Sequence, residues 1–188
     1  KESGYYIIQE DTTKTFIRCG GYNDRPFQSD NLHVDIWHNG INYLWDSGSY
    51  KYNTDNKTQG YFVGVQSHNT ISISGENQML KQGRFIWNYW IKRAEGSLIK
   101  KENSIYFVGY IKAFKQLGGI THRRSVEKLK DKLNWQVKDT FSKNAKGKIK
   151  NAYWQVNPEV FDNVDINAKD ANNIMLKAKV ENVYVSNY

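Results

Sequence analysis

Apolar and polar residues alternate with a period of two along most of this chain, the pattern of strands with one buried face. It runs through residues 4–10, 32–37, 70–74, 84–91, 104–114, 133–141 and 151–157, and again through 174–180 and 182–186. Turn-forming residues punctuate it at His38-Asn39-Gly40, Gly118-Gly119 and Asp162-Asn163. A 3.6-residue apolar period is not sustained anywhere. The best helical stretch, 124-RSVEKLKDKL-133, is short and predicts a connection between two strands. About a dozen short strands with polar turns predict an all-β fold, a multi-stranded antiparallel β-sandwich of super-sandwich type. With 188 residues and no linker, internal repeat or low-complexity tract, residues 1–188 read as a single domain that can bury a real core.

Composition narrows the function classes. Mean hydropathy is −0.75, and no apolar run approaches the length of a membrane span. The one cysteine, Cys19, excludes an internal disulfide and a zinc cluster of thiolates; its place in 14-KTFIRCGG-21 predicts a small buried hydrophobe at a strand end. A formal charge of +8 favours anionic partners. The lysines of 128-KLKDKL-133 and 143-KNAKGKIK-150 read as solvated faces. No helix, RNP-type motif or zinc finger stands behind that charge, so nucleic acid is not an expected partner. Opening on Lys1 without a signal peptide and closing on 182-NVYVSNY-188, the chain reads as a piece of a longer protein.

Candidate chemistry is densest in 25-RPFQSDNLHVDIWHNGINYLWDSGSYKYN-53. Taking Leu32, Val34 and Ile36 as core-facing puts His33, Asp35 and Trp37 on the opposite face, with His33 and Asp35 roughly 7 Å apart. After the Asn39-Gly40 turn, a returning strand ends at Asp46, so Asp46, Tyr50 and Tyr52 sit at the end of a hairpin. His68 and Asn69 stand just before the strand at 70–74. These strand ends can converge on one site. The structural alternative is a His33–Asp35 pair on a solvated face, with Asp46 capping a turn. Elsewhere, Arg84, Trp87 and Trp90 form either a sugar-stacking platform or ordinary packing. The 122-HRR-124 cluster either grips a carboxylate or lines the polar face of a strand.

The run from Pro26 to Asn53, followed by 61-YFVGVQSHNTISISGENQM-79 and 84-RFIW-87, resembles the C-terminal β-sandwich domain of heparinase II/III-type polysaccharide lyases. Three ordered motifs carry the resemblance: Gln28-Ser29-Asp30-Asn31-Leu32, where the family has His-x-Asp-x-Leu, then Asp46-Ser47-Gly48-Ser49-Tyr50 and His68-Asn69-Thr70. It implies a helical toroid upstream in the same protein, an acidic polysaccharide bound between the two parts, and β-elimination at a uronate. It further implies catalytic roles for His68, His33 and Tyr50, and substrate contacts by Asn69, Tyr52, Arg84 and Trp87. Zinc is implied on Gln28, Asp46 and His68, although Gln is a poor zinc ligand. Alternation turns His33 away from Leu32's face, and so away from Asp46. Gln at the first position also resembles the branch associated with bacterial exopolysaccharide gene clusters, which implies a periplasmic or cell-surface setting. The alternative is a non-catalytic carbohydrate-binding or structural sandwich.

Overall fold

The computed structural model describes residues 4–51, 53–176 and 178–180; the predicted strand at 182–186 and the candidate Tyr52 lie outside the described residues. Strands β1 (Tyr5–Gln9), β2 (Thr13–Arg18), β3 (Val34–His38) and β4 (Ile41–Leu44) form one antiparallel sheet in chain order. Helix α1 (Asn56–Val63) and the short strands β5 (Ile71–Ile73), β6 (Leu80–Lys81) and β7 (Trp87–Asn88) lead to a second sheet. There β8 (Ala94–Lys100), β9 (Ser104–Ala113), β10 (Ile120–Leu129) and β11 (Trp135–Phe141) also pair antiparallel with their chain neighbours. A last strand, β12 (Lys150–Ala152), returns to pair with β5, and β6 pairs with β7.

The two four-stranded sheets share one core. Ile8, Ile17, Val34 and Ile36 come from the first, Phe107, Ile111 and Val126 from the second. Period-two alternation produces this directly: in β2 every second residue, Thr13, Thr15 and Ile17, is buried. Cys19 is buried as expected, with its thiol 3.4 Å from the Glu95 carbonyl of β8 and 3.7 Å from the Tyr110 carbonyl of β9. Burial pushes that thiol up to about 11. Among the described residues no helix is long and apolar enough to cross a membrane.

The stretch predicted as a helical connection, 124–133, is instead the second half of β10 and the turn after it. Its inward positions carry charge: Arg124 and Lys128 alternate with Val126 toward the core. Lys128 Nζ is held by Glu10 Oε2 at 2.5 Å and by the carbonyls of Leu129 and Lys132 at 2.7 and 2.6 Å. The two carbonyls are local, but the carboxylate that neutralises the charge comes from β1's end of the chain, so the burial leaves no apolar trace in the local sequence.

Helix α1 was not expected either. Its start is set by a cap rather than by an apolar face: Asp55 accepts from the backbone N–H of Lys57 and Thr58 at 3.0 and 2.9 Å. The strand predicted at 84–91 pairs only over Trp87–Asn88, and that at 151–157 over Asn151–Ala152, extending back to Lys150, with a separate bridge from Val156 to Leu44. Of 174–180 only an isolated bridge, Lys169 to Met175, is formed among the described residues. Strand β8, at 94–100, lacked a clean alternation because it is mostly exposed.

Across the second sheet Gly96 faces Gly109, and a Cβ on Gly96 would stand 2.8 Å from the rings of both Tyr6 and Phe107. The missing side chain is what lets those rings pack at 5.0 Å between the sheets. Gly96→Ala should therefore overpack this seam and destabilise the fold by about 1–3 kcal/mol, measured by urea unfolding against the wild type.

Candidate functional site

Leu32 has φ 62, a left-handed conformation that is unusual for a branched residue, and β3 begins only at Val34. The simple alternation expected from 32 to 37 therefore starts two residues late. His33 is fixed between them, its carbonyl accepting from Arg18 N–H at 3.1 Å and its N–H donating to the Asp30 carbonyl at 3.1 Å. Its ring is buried, not solvated, and its partner is not Asp35: Nδ1 accepts from the backbone N–H of Asn69 at 2.9 Å. This corrects the expectation that His33 points away from Asp46, since His33 Nε2 lies 3.8 Å from Asp46 Oδ2.

Asp46 lies just past β4, in the loop that leaves the hairpin, and His68 just ahead of β5. His68 Nδ1 is 2.7 Å from the same Oδ2, and the two imidazoles meet edge to face with centroids 5.8 Å apart. The other carboxylate oxygen accepts from Gly48 N–H at 2.7 Å. Burial works against the Asp46 carboxylate, but the His68 hydrogen bond and the two imidazoles bring its pKa below the ordinary value. His33 is lowered to about 4, chiefly by burial, so it is neutral at physiological pH. His68 is fully buried, whereas the Asp46 side chain is 33% exposed. The carboxylate alone faces water; the rings stand behind it.

Behind the rings lies a second cluster. Arg124, 1% exposed, donates through Nε and Nη2 to the two oxygens of Asp139 at 2.8 and 2.9 Å. Its Nη1 donates to the carbonyls of Leu32 and Asn69, each at 2.6 Å. These residues adjoin His33 and His68 in the chain, so one guanidinium holds both imidazole-bearing segments. His122 Nε2 completes the cluster at 2.6 Å from Asp139 Oδ1. Burial opposes the Asp139 charge, yet Arg124 and then His122 hold its carboxyl well below the usual range. The carboxylate grip expected of 122-HRR-124 is thus real and internal, directed at the residue that faces Arg124 across β10 and β11.

The remaining candidates divide between frame and rim. Asn69 is fully buried: Nδ2 donates to the carbonyls of Val34 and Trp45, and Oδ1 accepts from Gln155 N–H at 2.5 Å. Trp87 is a core residue, 4% exposed, which favours packing over a sugar platform. Tyr50 is 39% exposed, with φ 56 and its ring stacked on Phe62 at 5.2 Å. Arg25 and Arg84 place their guanidiniums 5.9 and 5.6 Å from the Phe85 ring, beside a shallow pocket also lined by Phe27 and Trp87.

His33, Asp46 and His68 each offer a donor atom within 4.8 Å of the others, close enough to surround a metal. Of the implied set of Gln28, Asp46 and His68, the last two converge, and they do so with His33. Gln28 lies beside them, its Nε2 donating to the Gly48 carbonyl at 3.3 Å. The lone pairs do not fit an ion. His33 Nδ1 is already an acceptor for Asn69 N–H, so in the neutral ring the proton is on Nε2, the atom nearer Asp46. The 2.7 Å between His68 Nδ1 and Asp46 is a hydrogen-bond length; two donors on a tetrahedral zinc sit roughly 3.3 Å apart, given bonds of about 2.0–2.1 Å.

The family profile described as Heparinase II/III-like, C-terminal matches residues 1–187. A heparin-sulfate lyase of Bacteroides thetaiotaomicron is 31% identical over 142 residues, an alignment covering 66% of this chain and 18% of that protein. The structure of a heparinase III is similar with a TM-score of 0.55 and 27% identity, over 73% of this chain and 21% of the other. A heparan sulfate lyase from Pedobacter heparinus shares the fold, with a TM-score of 0.57 at 18% identity over 73% of this chain and 21% of its own. The chain spans about a fifth of the length of these relatives.

Two measurements probe the frame. Arg124→Met leaves Asp139 as an uncompensated buried charge and frees two backbone carbonyls, and should cost about 3–5 kcal/mol in chemical unfolding. Asp35 has its pKa raised from 3.8 to about 6, mainly by burial. The folded state then holds that proton more tightly than the unfolded chain, so the Asp35 contribution to stability is full below about pH 4 and is lost as pH rises to about 6. Asp35→Asn should flatten this part of the curve and raise the melting temperature at neutral pH, as read from thermal melts at several pH values.

Proposed function

Because the chain belongs to the heparinase II/III-like family and corresponds to its C-terminal domain, we propose that it is the sandwich part of a polysaccharide lyase that cleaves an acidic, uronate-containing polymer by β-elimination. The observation that carries this reading is the 2.7 Å hydrogen bond between His68 and Asp46. It joins the two motifs, Asp46 to Tyr50 and His68 to Thr70, on which the likeness to these lyases rests. The net charge of +8 suits an anionic polymer. In this reading the polymer lies between the sandwich and a helical toroid upstream in the same protein, in the periplasm or at the cell surface.

β-Elimination removes the proton α to the uronate carboxylate and expels the glycosidic oxygen. The base must hold a proton well enough to take it from carbon, and an acid must deliver one to the leaving oxygen. Asp46 is too acidic to be that base, and His33 and His68 are buried behind it. We therefore assign proton transfer on this domain to the exposed phenol of Tyr50, with His68 and His33 positioning Asp46 and its loop. Arg25 and Arg84, beside Phe85, would meet the polymer's anionic groups.

A second reading, a sandwich that binds the polymer without cutting it, is favoured by the burial of both imidazoles. The intact protein, toroid included, separates the two. Tyr50→Phe should lower kcat roughly 100-fold or more with KM nearly unchanged, followed by the ultraviolet absorbance of the unsaturated uronate. Unchanged turnover removes Tyr50 from the chemistry, and polymer binding with no product from the wild type supports the second reading.

A further inference from the structure

We infer that His33, Asp46 and His68 form a metal-free triad in which one carboxylate gathers two imidazoles through opposite ring nitrogens, Nε2–H of His33 and Nδ1–H of His68. Lone pairs fix this arrangement, independently of the proposed reaction. His33 Nδ1 faces the backbone N–H of Asn69 at 2.9 Å, and a backbone N–H can only donate. Nδ1 is therefore bare and Nε2 carries the proton. His68 presents Nδ1 to an ionised carboxylate at 2.7 Å, so there Nδ1 carries a proton.

Neither ring can supply what a cation needs without a rearrangement. For His33 Nε2 to ligate, the proton must move to Nδ1, where it would meet the Asn69 N–H head on. That N–H is locked: Asn69 is fully buried, and its amide, its carbonyl and its N–H are all engaged. An ion on the buried Nε2 of His68, with Asp46 behind the ring as an outer partner, would have a single protein donor. Gln28 is a poor third ligand, since its Nε2 is held by the Gly48 carbonyl and a neutral amide oxygen is a weak donor to zinc. Asp46 takes over the role of a central charge instead, drawing in the His68 N–H directly and the His33 N–H at longer range.

The test uses the intact protein, purified without chelator, incubated with excess zinc and desalted. Zinc content by elemental mass spectrometry should be the same for the wild type, His33→Ala and His68→Ala, with circular dichroism confirming that the variants are folded. Loss of one zinc per chain in either variant would overturn the inference. Histidine-selective ¹⁵N labelling gives a second readout that does not depend on the variants tolerating truncation. The signals lost in His33→Gln should be those of a pyridine-like Nδ1 and a pyrrole-like Nε2. The reverse pattern for His33, or a shift of it on adding zinc, would overturn the inference as well.

Discussion

Arg124 is withdrawn from water and given four protein acceptors in exchange, two on Asp139 and two on the carbonyls of Leu32 and Asn69. A buried guanidinium is tolerable only with that degree of pairing, and the requirement runs both ways. The charge needs the acceptors in place, and the segments that carry those acceptors are held wherever the charge is. Since Leu32 precedes His33 and Asn69 follows His68, the second sheet dictates the spacing of two imidazoles that belong to the other side of the core. His122, bound to the same Asp139, extends the arrangement along β10. Site geometry and the packing of the two sheets are consequently one property of the molecule.

Where inward positions are apolar, the fold was legible in the sequence. Strand β9 alternates over Phe107, Ile111 and Ala113 and stands where the pattern put it. The pattern failed in β10, whose inward row is Ile120, His122, Arg124, Val126 and Lys128. Periodicity scores a charge as outward, and only the distant partners Asp139 and Glu10 make the inward placement affordable. Helix α1 failed for a different reason: it has little apolar face and owes its start to Asp55, a signal of one residue.

The candidate site was half legible. The ordered motifs brought Asp46 and His68 together correctly, because each fixes a residue at a strand or hairpin boundary. The place of His33 was not legible, since it depends on the left-handed Leu32, a choice made by tertiary contacts that the local sequence does not announce. Asn69 illustrates the same limit: an amide that reads as a ligand for sugar is consumed by three backbone groups. The outcome is a division in which the imidazoles and the Asn69 amide are built into the frame, while Tyr50 and Arg25 stay open to water.

Cys19 has a consequence of its own. Its sulfur is wedged between the end of β2 and the carbonyls of β8 and β9, and burial keeps it protonated at neutral pH. Thiol reagents attack the thiolate, so the closed molecule is inert to them on two counts, access and ionisation. The chain therefore carries a native clock for the parting of its two sheets: with enough alkylating probe to outpace reclosing, the rate at which this sulfur is captured is the rate at which the seam comes open.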